Sequence, residues 1–316
     1  MFKYKPLMVL LALLFVVGAS CDRSTFFGSK SETTEEDIFS GIQGLELSFM
    51  EGAPPNEVYQ DTSFDIFVEL HNQNALDVKR GTIKLSIPYL FEVSDKTKTI
   101  DTMMGKETYP GGETEIIEWT GVKVKGTTVR KDTRQTANVQ VCYAGDLEAQ
   151  PMVCVRPRPG SDGIIEGECN IGKKSLSGGQ GAPIAVTSVT ETVLKESDNT
   201  NTMVFRFEVE DVGGGKVIDV GEVNDCSISA KDKTKAEIII EKVTWLGSET
   251  GFECEGGKEE KDKVIMLNGK GVFKCTSPAI SNDEHYSLPL YIKMNYGYVK
   301  SINKGFTLKK DIFYAD

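Results

Sequence analysis

The chain is poor in the residues that do most enzymatic work. Its 316 residues include only two histidines, His71 and His285, and two tryptophans, Trp119 and Trp245. So few histidines argue against a multi-His metal site and against imidazole acid–base chemistry, while carboxylate chemistry stays open. The serine-hydrolase elbow G-x-S-x-G, the zinc motif H-E-x-x-H, the dinucleotide turn G-x-G-x-x-G and the calcium loop D-x-D-x-D-G are all missing. No C-x-x-C pair occurs, so no zinc site is expected. Basic residues are in the minority, 36 Lys+Arg against 47 Asp+Glu, for a formal net charge of −11. A nucleic-acid binder needs a basic stripe, and this balance speaks against one. After residue 21 no stretch has the period of an amphipathic helix of normal length.

The one long apolar run lies at the N-terminus. Lys3 and Lys5 precede Leu7–Val17, and the small residues Gly18, Ala19 and Ser20 follow. This is the anatomy of a secretory signal peptide over 1–20, with an uncleaved anchor helix as the alternative. Cys21 then stands where a prokaryotic lipobox places the lipidated cysteine, although Gly18 occupies a position such boxes usually give to Leu, Val or Ile. Ordinary cleavage after Ser20 is the other reading. Cysteine parity favours the lipid: of seven cysteines, six remain if Cys21 is acylated, an even set for an oxidising compartment. Residues 21–40 are polar, acidic and aperiodic, and read as a flexible tether.

From residue 41 onward the pattern is β-rich. GLELSFM, SFDIFVEL, GTIKLSIP, EIIEW, TANVQVCY and PMVCV alternate or cluster β-formers between turn residues. PIAVTSVT, TMVFRFEVE, AEIIIEKVTW, KVIMLN, GVFKC, SLPLYIKMNYGY and KGFTLK continue the same grammar. The expected fold is all-β: two immunoglobulin-like antiparallel β-sandwich domains in tandem, 41–160 and 183–316, joined by a Gly-rich linker at 161–182. A weak internal repeat supports this. Residues 64–78 align with 204–220, setting Ile66 on Phe205 and Asn72 on Asp211. TANVQVCY aligns with PLYIKMNY, setting Val139 on Ile292 and Tyr143 on Tyr296.

ELHNQNALDV and EVEDVGGGKVIDV resemble the strand–turn–strand motif of prokaryotic surface modules of the CARDB and NEW3 type. GLELSFMEGAPPNEVYQDTSFDIFVEL is similar to the opening of archaeal surface proteins with two such domains. The resemblance covers about 41–312. It implies Ig-like domains at a cell surface that serve adhesion, display or scaffolding, and it supplies no catalytic residues.

The cysteines invite pairing. If TANVQVCY and PMVCV form a hairpin centred near Glu148, Cys142 and Cys154 stand opposite each other within disulfide reach. Cys254 and Cys275 flank a strand and its NGKG turn and make a second pair; Cys169 and Cys226 are then left for each other. Trp119 and Trp245 read as core anchors. Tyr296 and Tyr298 flank an expected hairpin turn at Asn295–Gly297 and form a possible binding surface. Glu113, Glu115 and the run Ser281-Asn282-Asp283-Glu284 offer oxygen ligands to Ca²⁺, with solvated turn charges the plainer reading.

Two stretches mimic nucleotide-binding motifs. GECNIGKKS (167–175) comes close to a P-loop, and LSGGQ (176–180) spells an ABC-ATPase signature. The P-loop analogue has Lys174 where Ser or Thr belongs, no apolar strand precedes it, Pro183 opposes a helix after it, and no Walker B strand follows. ATP is therefore not an expected ligand. The expected function is that of a non-enzymatic surface protein, lipid-anchored or secreted, for adhesion, partner binding or envelope scaffolding. It would need no cofactor and sit at the outer face of the membrane, held by the lipid or an uncleaved anchor. Its partner would be an unknown surface protein or glycan. A carbohydrate- or substrate-binding accessory lipoprotein is the alternative.

Overall fold

The computed structural model describes residues 38–125, 129–155, 169–195, 201–227, 234–257, 260–280 and 286–310. The leader, Cys21, His285 and residues 281–284 lie outside this set. The first strands are β1 (Leu45–Phe49), β2 (Glu57–Val58), β3 (Ser63–Asn72), β4 (Arg80–Ser86), β5 (Phe91–Glu92), β6 (Thr97–Ile100), β7 (Thr114–Val124), β8 (Thr133–Ala149) and β9 (Met152–Val155). Then come β10 (Lys173–Ser175), β11 (Ile184–Lys195), β12 (Asn201–Asp211), β13 (Lys216–Ile218), β14 (Lys235–Trp245), β15 (Glu253–Gly256), β16 (Lys263–Leu267), β17 (Lys270–Thr276) and β18 (Tyr286–Leu308). The ladders are antiparallel except for β2, which runs parallel to the end of β18. The protein is an all-β sandwich.

Alternation sets the layers. In β3, Phe64, Ile66, Val68 and Leu70 are buried while the residues between them are more exposed, so one face of the strand meets the core. The first half builds the sheet β1-β3-β7-β5. Opposite it lie β6, β4, β8 and the C-terminal part of β18, and Phe64 on β3 meets Phe306 on β18 at 5.7 Å across the layers. The second half repeats the scheme with β11-β12-β17 and, facing them, β16, β14 and the N-terminal part of β18. There Phe205 of β12 meets Trp245 of β14 edge-on at 5.7 Å. Trp119 is buried and Trp245 half-buried against the core.

The repeat seen in the sequence has a structural counterpart. Asn72 pairs with Leu45 at the start of β1, and Asp211 pairs with Ile184 at the start of β11. The Asn72 N–H donates to the Glu113 carbonyl at 2.8 Å, and the Asp211 N–H donates to the Gly269 carbonyl at 2.8 Å. In each copy the acceptor is the residue just before the third strand, β7 or β17.

The strand pairing does not follow the limits 41–160 and 183–316. β8 and β9 pair with β18 in one continuous register, from Thr133↔Leu308 through Ala149↔Ile292 to Val155↔Tyr286. The strand β18 has 23 residues, a length of roughly 75 Å at the usual rise. Its C-terminal part completes the first half and its N-terminal part belongs to the second. Under the expected repeat alignment Ala144 corresponds to Gly297, and these two residues are directly paired. The ribbon thus carries a local two-fold between the halves, and a single core cluster spans both.

Two expected turns are therefore absent. Glu148 lies near the end of β8 opposite Lys293, with β9 continuing the same register, and Asn295–Gly297 runs straight through β18. Cys142 and Cys154, expected to pair, sit on one extended run roughly 40 Å apart. The disulfides are Cys142–Cys226, Cys154–Cys169 and Cys254–Cys275. Cys254–Cys275 is as expected, bridging directly paired residues of β15 and β17, whereas the expected Cys142–Cys154 and Cys169–Cys226 bridges are replaced.

Candidate functional site

Tyr296 and Tyr298 do not form a binding surface. Both are fully buried, with Tyr143, where the two halves meet. The Tyr296 hydroxyl donates to Asn74 Oδ1 at 3.1 Å and that of Tyr298 to Asp211 Oδ1 at 2.7 Å, while the Leu45 N–H donates to the Tyr143 hydroxyl at 3.1 Å. Burial pushes all three phenols well above the ordinary tyrosine range. They are internal struts tied to the strand ends of both copies.

The nucleotide-like stretch is also structural. Lys173, Lys174 and Ser175 form β10 on the edge of β11. The Lys173 ammonium lies 2.8 Å from Glu208 and that of Lys174 2.7 Å from the buried Glu191. Gln180 brackets Val186, accepting from its N–H at 2.8 Å and donating to its carbonyl at 3.3 Å. Gly179 has φ +70°, and a Cβ there would collide with the Gly41 carbonyl, so LSGGQ is a strap pressed on the first half.

His71 closes a strand end, its Nε2 lying 2.7 Å from the Gly111 carbonyl. Glu113 accepts from the Met104 N–H at 2.7 Å. Partial burial and the nearby Glu113 and Asp101 carboxylates hold the Glu115 pKa above its usual value. Among the described residues no three His, Cys, Asp or Glu side chains are grouped to hold a metal ion.

The candidate site lies where the two copies differ. In the first half the connection between β6 and β7, residues 101–113, folds over the mouth of the sandwich. Met103 is buried there, receives the Asn72 side-chain amide at 2.9 Å, and exchanges two 2.9 Å backbone bonds with Val78. The Lys106 and Glu107 N–H groups add bonds to the Asn74 and Ala75 carbonyls. In the second half the corresponding connection, between β16 and β17, is only the tight turn at residues 268–269. Nothing in the described structure caps that mouth, and a cleft of about 400 Å³ opens there.

The cleft has an apolar floor and a polar rim. Val217, Ala236 and Met266 are buried beneath it. Asp211, Lys216, Lys235, Asn268 and Lys270 stand around it, and Gly214 and Gly215 bring bare backbone to its edge. The motif EVEDVGGGKVIDV, singled out in the sequence as a surface-module signature, supplies one wall. Burial raises the Asp211 pKa, opposed by the bonds it accepts from the Tyr298 hydroxyl and the Gly213 N–H and by nearby Lys216. Lys270 is paired to Glu210 at 3.0 Å. Sequence reasoning missed this site because its signal is a shortened loop, visible only once the two copies are superposed strand by strand.

No family model matches the chain, and no curated protein matches it. Among solved structures the chain is similar to a serine-rich repeat adhesion glycoprotein from Streptococcus agalactiae, at 11% sequence identity, over 87% of this chain and 95% of that one, with a TM-score of 0.19. A likeness this loose carries no residue role across.

Proposed function

We propose that the chain is a non-enzymatic binding protein displayed outside the cytoplasm, lipid-anchored through Cys21 or secreted. The observation that carries this reading is the disulfide framework: all six cysteines among the described residues are bridged. Such bridges persist in oxidising compartments and are rare where thiols are kept reduced. The all-β body supports the same reading, since binding modules of this architecture work through strand-end loops held on a rigid sandwich. Here the rigid part is the β8/β9–β18 ribbon, and the open mouth of the second half is the surface it presents. On this reading the acidic tether at 21–40 lifts the sandwich off the membrane.

Two measurements on the protein from its native cells test the proposal. Protease shaving of intact cells releases the sandwich if it is displayed, and non-reducing peptide mapping recovers the three bridged peptides. Full protection in intact cells, or six free thiols, overturns it. Mass spectrometry of the N-terminal peptide decides between anchor and secretion: an acylated Cys21 at the N-terminus means a lipoprotein, cleavage that leaves Cys21 unmodified a secreted chain, and retention of residues 1–20 an uncleaved anchor.

A further inference from the structure

We propose that the mouth of the second half, uncapped among the described residues, binds an anionic saccharide, one whose sugar rings bear carboxylates. One fold position occurs twice in the molecule; in the first copy residues 101–113 fill it, and in the second it is a cleft of about 400 Å³. That volume lies within the range of small-ligand sites, roughly 300–1,000 Å³.

The lining fits a sugar acid. Met266, Val217 and Ala236 form a small apolar floor on which the C–H face of a pyranose can lie. Asp211 and Asn268 offer an acceptor and an amide for ring hydroxyls. Lys216, Lys235 and Lys270 give the cleft three ammonium groups against the carboxylates of Glu210 and Asp211, in a chain whose formal net charge is −11. This local reversal of sign selects an anionic ligand. The position of Asp211 sharpens the contrast. Its counterpart, Asn72, donates its side-chain amide to the loop that seals the first mouth, whereas Asp211 turns Oδ1 to the Tyr298 hydroxyl and the Gly213 N–H, and its carboxylate can also accept from a ring hydroxyl.

An extended acidic peptide would bind by adding to an unpaired strand edge. Around this cleft Glu210 on β12 pairs with both Ala185 and Lys270, and Met266 on β16 pairs with both Ala236 and Gly271, so those two edges are taken. Among the described residues Lys216–Ile218 of β13 pair with β18 alone and residues 235–238 of β14 with β16 alone, so the peptide is the rival that the titration has to separate.

The inference rests on the extracytoplasmic placement proposed above, where polysaccharides are the surrounding chemistry, but its test is independent of that placement. The purified full chain is titrated calorimetrically with tetragalacturonate, with the neutral galactose tetramer and with tetraglutamate. Tetragalacturonate is expected to bind, more weakly as salt rises. Lys216→Ala and Lys235→Ala should each weaken it about fivefold and together on the order of 20-fold, the contributions of exposed charges being small and nearly additive. Lys235→Arg should keep most of the affinity. Replacing residues 268–269 with residues 101–113 should abolish binding in a chain that keeps its thermal transition. Equal binding of the neutral tetramer overturns the charge assignment, and equal binding of tetraglutamate overturns the saccharide assignment. Absence of all binding, or tetragalacturonate affinity unchanged in the double lysine variant, overturns the site. A chain that binds tetragalacturonate but is protected from protease in intact cells would retain the site and lose the surface reading.

Discussion

Two glutamates show how the lysines of the nucleotide-like stretch are used. Glu191 is fully buried at its side chain, yet it carries a full set of partners: Lys174 at 2.7 Å, the Cys154 N–H at 2.8 Å and the Gly172 N–H at 3.2 Å. It ties β9, β10 and β11 together beside the Cys154–Cys169 bridge. Removing the carboxylate leaves two amides without an acceptor, so Glu191→Ala should cost about 3 kcal/mol in denaturant unfolding. Glu191→Gln, which keeps an acceptor, should cost less; equal stability of all three proteins would refute the role. Glu208 is more exposed and reports through pH instead. Hydrogen bonds from Lys173, Ser188 and Arg206 lower its pKa from an ordinary 4.5 to about 2. A carboxylate with a depressed folded pKa stabilises the fold above its unfolded pKa, and that contribution is lost as pH falls toward the folded value. Between about pH 4.5 and 2 the wild-type protein should therefore lose stability more steeply than Glu208→Gln. Parallel acid-unfolding curves would show that the bonds add nothing.

At the scale of elements, the segment after β13 behaves as a flap stapled to the ribbon. Its 3₁₀ turn, Val220–Glu222, is closed by Asp219, whose N–H donates to Glu222 Oε2 at 3.1 Å. Beyond it Val223 and Cys226 lie on Cys142, Ala144 and Val299 in a small separate cluster. The Thr82 hydroxyl donates to the Asn224 carbonyl at 3.2 Å, so the flap reaches from the second half to β4 of the first. The bridge Cys142–Cys226 closes a sequence separation of 84 residues, for which chain-entropy reasoning gives about 4.5 kcal/mol. Replacing both cysteines by serine should remove most of that and raise amide exchange in residues 219–227 before anywhere else. Unchanged exchange there would mean the flap is held by its other contacts. Most strands could be read from the sequence, because alternation such as Phe64, Ile66, Val68 and Leu70 reports a half-buried face directly. The ribbon could not, because its glycines imitate turns. A Cβ on Gly145 would strike the Tyr296 ring, and one on Gly297 would strike the Ile218 carbonyl. Glycine in a strand can mean a turn or a close approach, and sequence alone does not separate the two. The Cys142–Cys154 pairing requires a turn near Glu148, and an exposed Tyr296 and Tyr298 require one at Asn295–Gly297; the continuous ribbon removes both.

For the molecule as a whole, the shared ribbon decides what can fold by itself. Cut at the expected limits, a 41–160 fragment keeps β8 but lacks the residues of β18 that pair with it, and a 183–316 fragment keeps β18 but lacks residues 133–155 along its length. The first fragment would leave Val139, Val141 and Phe64 beside a missing strand; the second would expose the face of Tyr296, Tyr298 and Phe306, all buried in the intact chain. Each would also present a long unpaired strand edge, a template for aggregation. Each fragment expressed alone should therefore be insoluble or lack dispersed amide resonances. Cut once instead, as 41–160 and 161–316, the two pieces should recover a soluble complex when co-expressed, since the ribbon, β10 and the Cys154–Cys169 bridge are then all retained. The intact chain should unfold in one calorimetric transition, because neither half keeps its core once the ribbon opens. Two resolved transitions, or either fragment folding alone, would show that the halves are independent domains and that the ribbon only aligns them. The same experiment bears on the cleft. If both halves belong to one cooperative body, a ligand held at the second mouth should raise the single transition temperature of the whole chain, the sealed first half included.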